Sequence, residues 1–470
     1  MHSRTLRKPK IGKDPDPQYG KKPGMRNEGR RNRMKFSQLG QLALASAVSA
    51  ALVLGITACG QSNTIDFVYI ASANANPGVI YGFAADGESG ALTQILGSPF
   101  PAGRNPIGLV TAPNGRYVYA LNHDDNTVSY FVAGSDGKLF AQATYNLKSG
   151  TNPNGLAISP DGSTMYVVEA YGLDANGNPY SPTTPGIGAL VQIPIASNGT
   201  LGNETAYPTC NNPVAVTVLG SATNPAGGAV YVVNDPAGQL TTLIDTVAAQ
   251  NRGATGNSTV TYPVVGACSG GASPVGQITS YGITPKSNVL TQAAGSPYAA
   301  GVAPDAIATD PGNRFVYVTD FRQNTMLSYT VQGSTGEIQP QVSSTTPTGQ
   351  LPSAITVDPR GAFIYVANYS DGTVSGYALN AQTGEPSALA GTSSTAATDP
   401  GPAAITVEDS IGRYIYTANF IGNSVSSLYL DPNAGTTHPG QNTPFPGTAK
   451  ATAVATVKHG DHTTQFIAQY

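Results

Sequence analysis

The chain has no tryptophan, only three cysteines, five histidines and five methionines among 470 residues, and 11% of its residues are charged. It contains no nucleophile elbow, no zinc-protease helix motif and no phosphate loop, so the familiar local signatures of those chemistries are absent. The charge that is present is unevenly placed. Twelve of the 24 Lys and Arg lie within residues 1–35, against three acids, so the remainder carries twelve more acids than bases. An acidic body does not neutralise a phosphate backbone, which excludes nucleic acid as an expected partner.

What is abundant is Gly (55), Pro (36) and Tyr (24, twice Phe), a composition suited to many short strands joined by turns. The stretch NPIGLVTAPNGRYVYALNHDDNTVSYFV, from Asn105, recurs with variation from Asn152, Asn212, Ala303, Leu351 and Gly401, and in truncated form from Asp66. Each unit has a short apolar segment after Pro and a Pro-Asn-Gly or Asp-Gly type of turn. An aromatic β-branched run, a polar turn, an alternating run, a Gly turn and a fourth short run follow. That is one four-stranded antiparallel sheet. The recurring tyrosines Tyr69, Tyr119, Tyr166, Tyr231, Tyr317, Tyr365 and Tyr416 are spaced by 50, 47, 65, 86, 48 and 51 residues. Seven such units predict an all-β, seven-bladed β-propeller. The first unit lacks its first strand, and Ala451–Val457 fits the vacancy, so the ring is expected to close by strand exchange between the two ends of the chain.

The segment from Met34 has a basic start, an apolar stretch from about Leu39 to Leu54, and small residues before Cys59. It reads as a secretory signal, residues 34–58, preceded by a doubtful extension, 1–33, with translation starting at Met25 or Met34. Ile56-Thr57-Ala58-Cys59 resembles the bacterial lipobox. That resemblance implies lipidation at Cys59, a linker over 59–65, and an exported, membrane-anchored body over 66–470; a plain signal peptide and an uncleaved anchor are the alternatives. In an oxidising compartment Cys210 and Cys268 read as a disulfide. It would close 58 residues and contribute about 4 kcal/mol in the chain-entropy model. Two buried free thiols remain the alternative, and a metal site from these two without a nearby His is not expected.

The tetrads at Tyr317–Asp320, Tyr365–Asn368 and Tyr416–Asn419 resemble the YVTN-type propeller repeat. The order VYIAS, GALTQ, NPIGLVTAPNGRYVY, with the recurring GSPF and GSPY, resembles the lactonase family of seven-bladed propellers, which includes 6-phosphogluconolactonase. That resemblance implies a rim of His, Arg and Glu. The matching positions here hold Asn152-Pro153-Asn154, Asn212-Pro213-Val214 and Asn234-Asp235-Pro236. Lactone opening needs a group to activate water and donors for the oxyanion, and Asn is no base.

Strand parity puts the Asn-Pro segments and the turns after the second strands on one rim. Its second-strand ends are Ser72, Asn122, Glu169, Asn234, Asp320, Asn368 and Asn419. The candidate binding rim is Asn122, Asp124, Asn154, Asn234, Asn368 and Asn419; the alternative is that Asn and Asp sit there for turn geometry. The catalytic candidates are Glu169, His123, Asp320 and Arg322. The insertions 170–190 and 236–276 fall on the same rim. No cofactor is expected, although His123 among carboxylates leaves a divalent cation open. His459 and His462 lie toward the other face. Asp174, Asn176 and Asn178 start like a calcium loop but lack the twelfth-position Glu. Three functions follow: a monomeric binding protein for a protein, glycan or small ligand; a periplasmic lactone hydrolase; a structural repeat protein of the cell surface.

Overall fold

The Tyr-bearing runs become the second strand of every blade and are its most buried element. Tyr117–Asn122, Phe315–Asp320, Phe363–Asn368 and Tyr414–Asn419 are buried at every residue. Such strands are covered on both faces, which explains their unbroken apolar, β-branched character. The computed structural model describes residues 63–174, 176–179, 187–220, 228–235, 276–285, 287–333, 335–389 and 394–459. They form seven antiparallel sheets. Cys59, Cys268, His462 and the signal segment lie outside the described residues.

The innermost strands are Ala451–Lys458, Pro106–Thr111, Thr151–Ile158, Pro213–Leu219, Pro304–Thr309, Pro352–Val357 and Pro402–Val407, numbered here as blades one to seven. Each touches the next and the seventh touches the first, so the ring closes. In blade one, Ala451–Lys458 pairs antiparallel with Thr64–Ser72, with Ser72 opposite Ala451 and Asp66 opposite Lys458. The two ends of the body thus share one sheet, as the truncated first repeat implies.

The recurring tyrosine is a tie between blades. In four of the seven blades its hydroxyl donates to a glycine carbonyl in the outer hairpin of the next blade. Tyr69 reaches Gly137, Tyr119 reaches Gly199, Tyr317 reaches Gly384 and Tyr365 reaches Gly435, at 2.7–2.8 Å. Burial of the ring and satisfaction of its polar tip are achieved together.

The Asn-Pro motif has a backbone cause. At the start of the inner strand six blades have a residue of positive φ: Asn105 (49°), Asn212 (45°), Leu351 (53°), Gly401 (69°) and Lys450 (53°) just before it, and Asn152 (57°) as the second residue of the strand in blade three. Asn and Gly tolerate this left-handed region, and other side chains pay for it. The GSPF motif also has a place. In blades one, four and seven the outer strand is split in two around Ser98–Pro99, Ser296–Pro297 and Thr443–Pro444, all cis. Blade six is split as well, whereas blades two, three and five keep one continuous outer strand.

Candidate functional site

The predicted rim is assembled as parity requires, for the amide of His123 donates to Asn105 O and that of Asp235 to Asn212 O, joining the two sets of loops. The connections from Tyr171 to Ala189 and from Asn234 to Gln277 begin and end on it.

The side chains that end the second strands turn into the blades. Asn122 accepts from Gly103 N (3.0 Å) and donates to Thr127 Oγ1 (3.0 Å) and Ser129 Oγ (2.9 Å). Asn368 repeats this with Gly349 N, Thr373 and Ser375 at the same distances. Asn419 donates to Ser424 and Ser426, and Asn234 to Thr279 Oγ1 (3.0 Å). Each amide brackets the third strand, and in blades two and six also the incoming loop. Asp320 does the same with backbone donors alone, accepting from Val302, Ala303, Arg322 and Gln323 N. The Arg322 side chain stands exposed on the turn.

Glu169 departs from this pattern. It faces Ala189 across the pair, where Asn122 and Asn368 face Thr, Asn419 faces Ser and Asn234 faces Gln277. It is fully buried and neither carboxylate oxygen has a hydrogen-bond partner. Desolvation, then the nearby Glu204, pushes its pKa up to about 8. A carboxyl of this kind is protonated at neutral pH. Gly150 packs against it so closely that a Cβ there would lie 2.4 Å from Oε2.

His123 is nearly buried and its Nδ1 lies 3.1 Å from Asp124 Oδ1, which also accepts from Asn105 Nδ2 at 3.0 Å. Asp125 pairs with Arg104 through both the amide and the guanidinium. Among the described residues no group of three or more His, Cys, Asp and Glu is placed to hold a metal ion. Asp174 accepts from Asn176 and Asn178 N, an Asx turn. His459 sits at the opposite rim, its Nδ1 3.0 Å from Thr64 O and its ring edge-on to Phe67. Cys210 is buried and disulfide-bonded.

Sequence reasoning missed a second ring. Every inner strand has a register irregularity near its start, just after its first residue in six blades and just after Pro153 in blade three. The displaced residues are Ile107, Asn154, Val214, Asp305, Ser353, Ala403 and Thr452. Bulges re-aim side chains, and here they aim them at the next blade. Asn154 Nδ2 donates to Pro213 O (2.9 Å), Ser353 Oγ to Pro402 O (2.6 Å) and Thr452 Oγ1 to Pro106 O (2.5 Å). Asp305 is the acidic member, with Oδ2 unpartnered. Burial, then Asp235 across the junction of blades four and five, holds its pKa well above the carboxylate range. The sequence signal was one Asp at the residue after Pro, visible only once the bulge is known to single that position out.

The family model described as "Lactonase, 7-bladed beta-propeller" matches residues 263–403 and 306–450. Over that stretch, 263–450, the chain is similar to the lactonase family of seven-bladed propellers. Solved structures share the fold of this chain. A candidate 6-phosphogluconolactonase of Bacteroides fragilis aligns at TM-score 0.60 and 15% identity, over 85% of this chain and 99% of that one. The periplasmic gluconolactonase of Pseudomonas aeruginosa aligns at 0.59 and 14%, over 84% and 99%. A protein of unknown function from Desulfotomaculum acetoxidans aligns at 0.57 and 12%, over 83% and 99%. No curated protein matches the chain in sequence.

Proposed function

We propose that this lactonase-family propeller is an exported, lipid-anchored binding protein that engages a partner or ligand through its insertion-bearing rim, without lactone hydrolysis. The supporting observation is the fate of the catalytic candidates. Asp320 is taken up by four backbone amides, and Glu169 is enclosed behind Gly150. A base must reach the water it activates, and a neutral, enclosed carboxyl does not. The positions where the family resemblance implies His and Arg hold Asn152–Asn154 and Asn212–Val214, and these are occupied with positive-φ turns and blade-to-blade ties. Export and anchoring rest on the lipobox-like segment before Cys59, and the structural likeness to a periplasmic protein accords with them.

One observation favours a hydrolase instead. A carboxyl pushed to about 8 is suited to proton transfer near neutral pH, and of the aligned structures one is a candidate 6-phosphogluconolactonase and one a periplasmic gluconolactonase. A lactone panel assayed on the purified chain separates the readings. The binding reading expects no turnover above background. Turnover abolished by Glu169→Gln and by His123→Ala would replace it with hydrolysis at this rim.

A further inference from the structure

A side cleft of about 570 Å³ opens between blades one and two, running outward from the rim at Gly103 and Asp125. One blade-to-blade tie that three other blades use is missing here. In blades four, five and six, a tyrosine on the third strand lies opposite the residue preceding the recurring tyrosine: Tyr281, Tyr329 and Tyr377. Each hydroxyl reaches back to the end of the previous blade's outer strand. Tyr281 donates to Pro208 O, Tyr329 to Ala299 O (2.7 Å) and Tyr377 to Pro347 O (2.9 Å). The same position holds Ile193 in blade three and Leu428 in blade seven, and in blade two, opposite Val118, it is Phe131. The corresponding outer strand of blade one ends at Pro101, and Phe131 has no hydroxyl with which to tie it. Pro101 and Phe131 both line the cleft.

The floor of the cleft presents donors. Thr127 and Ser129 accept from Asn122 Nδ2, so each hydroxyl proton remains to be given. Blade seven shows how one of the two can be taken up. There Ser424 Oγ donates to Asp399 Oδ2 and Ser426 Oγ accepts from Asp399 N. The residue corresponding to Asp399 in blade two is Gly103, which has no side chain to offer. The outer wall, from the strand Leu139–Asn146, exposes Gln142, Thr144 and Asn146 and carries no charge. At the lip, Asp125 is neutralised by Arg104.

We propose that this cleft binds a neutral saccharide. Paired hydroxyl donors, amides and hydroxyls on an uncharged wall, and an aromatic ring at the back match a ligand that alternates hydroxyls with C–H faces. They do not match a phosphate or a carboxylate, since the cation present is already paired.

The test is calorimetric titration of the full-length chain in mild detergent with maltohexaose, cellohexaose and chitohexaose. An extended uncharged nonapeptide, able to add along the free edge of Leu139–Asn146, serves as the competing class. The expected result is saturable binding of at least one hexasaccharide, weakened at least tenfold in Phe131→Tyr and in Ser129→Ala and unchanged in Leu351→Asn. Phe131→Tyr restores a tie that three other blades already use, so its melting temperature is expected to equal or exceed that of the parent. Absence of heat with all three saccharides, equal affinity in Phe131→Tyr, or heat from the peptide alone would each overturn the proposal.

Discussion

Leu351 holds φ at 53° in a position that the other blades give mostly to Asn or Gly. Its amide donates to Asn324 Oδ1 at 2.8 Å, so the fold fixes the backbone against the side chain's preference. Leu351→Asn keeps that amide and relieves the strain. Denaturant unfolding is expected to show a gain of about 1 kcal/mol. Glu169 stores a larger and pH-dependent cost. Its folded pKa, about 8, lies above the unfolded value of 4.5, so the unfolded chain releases the proton first. Stability therefore falls as pH rises from about 4.5 to 8 and is level beyond. The loss at pH 7 is on the order of 3 kcal/mol. Glu169→Gln should match the parent near pH 4.5 and melt at higher temperature at pH 8; parallel melting curves at the two pH values would show that the carboxyl ionises freely.

Within each blade the ordering device is the asparagine bracket. Asn368→Ala removes three hydrogen bonds and leaves the Gly349 amide and two hydroxyls without their partner. A loss of roughly 2–4 kcal/mol in chemical denaturation is expected, while Asn368→Asp, which keeps the acceptor, should cost less. This bracket also shows how far the sequence could be read. The repeats, the number of blades and the closing strand were legible because strand alternation and turn residues recur seven times. The spacing of Asn122, Thr127 and Ser129 recurs at Asn368, Thr373 and Ser375 and at Asn419, Ser424 and Ser426, so the rim asparagines announced their position. Their direction was not legible: an amide facing a ligand and an amide facing its own blade look alike in sequence. Asp305 stayed hidden for a related reason, since nothing in a run of residues marks where a strand bulges. The seam at Phe131 appears only by contrast with Tyr281, Tyr329 and Tyr377, which requires the register of four blades.

Across the whole ring, the place where the two ends meet also gathers buried carboxyls. Asp66 of blade one is fully buried, takes a hydrogen bond from Ser410 and faces Glu408 of blade seven. Burial, then Glu408, raises its pKa well above the usual range, and burial likewise raises that of Asp409, with Lys458 opposing. Both shifts have the sign seen at Glu169: the seam is strongest while these groups are protonated and weakens as they ionise with rising pH. Asp66→Asn keeps an acceptor for Ser410 and removes the charge. It is expected to raise the melting temperature at pH 8 and to change it little in mild acid, as read by calorimetry across that range.

The pairing of Thr64–Ser72 with Ala451–Lys458 has a mechanical meaning. Asp66 lies opposite Lys458, so the chain leaves this pair toward both of its ends from the same side. A pull applied between the ends does not shear the ladder along its length. It peels the two strands apart, one hydrogen-bonded step after another, beginning at Lys458 and running toward Ala451. The ring that is closed against sideways edge pairing is therefore built to open under tension at its own clasp, at low force, with blade one giving way before the other six feel the load.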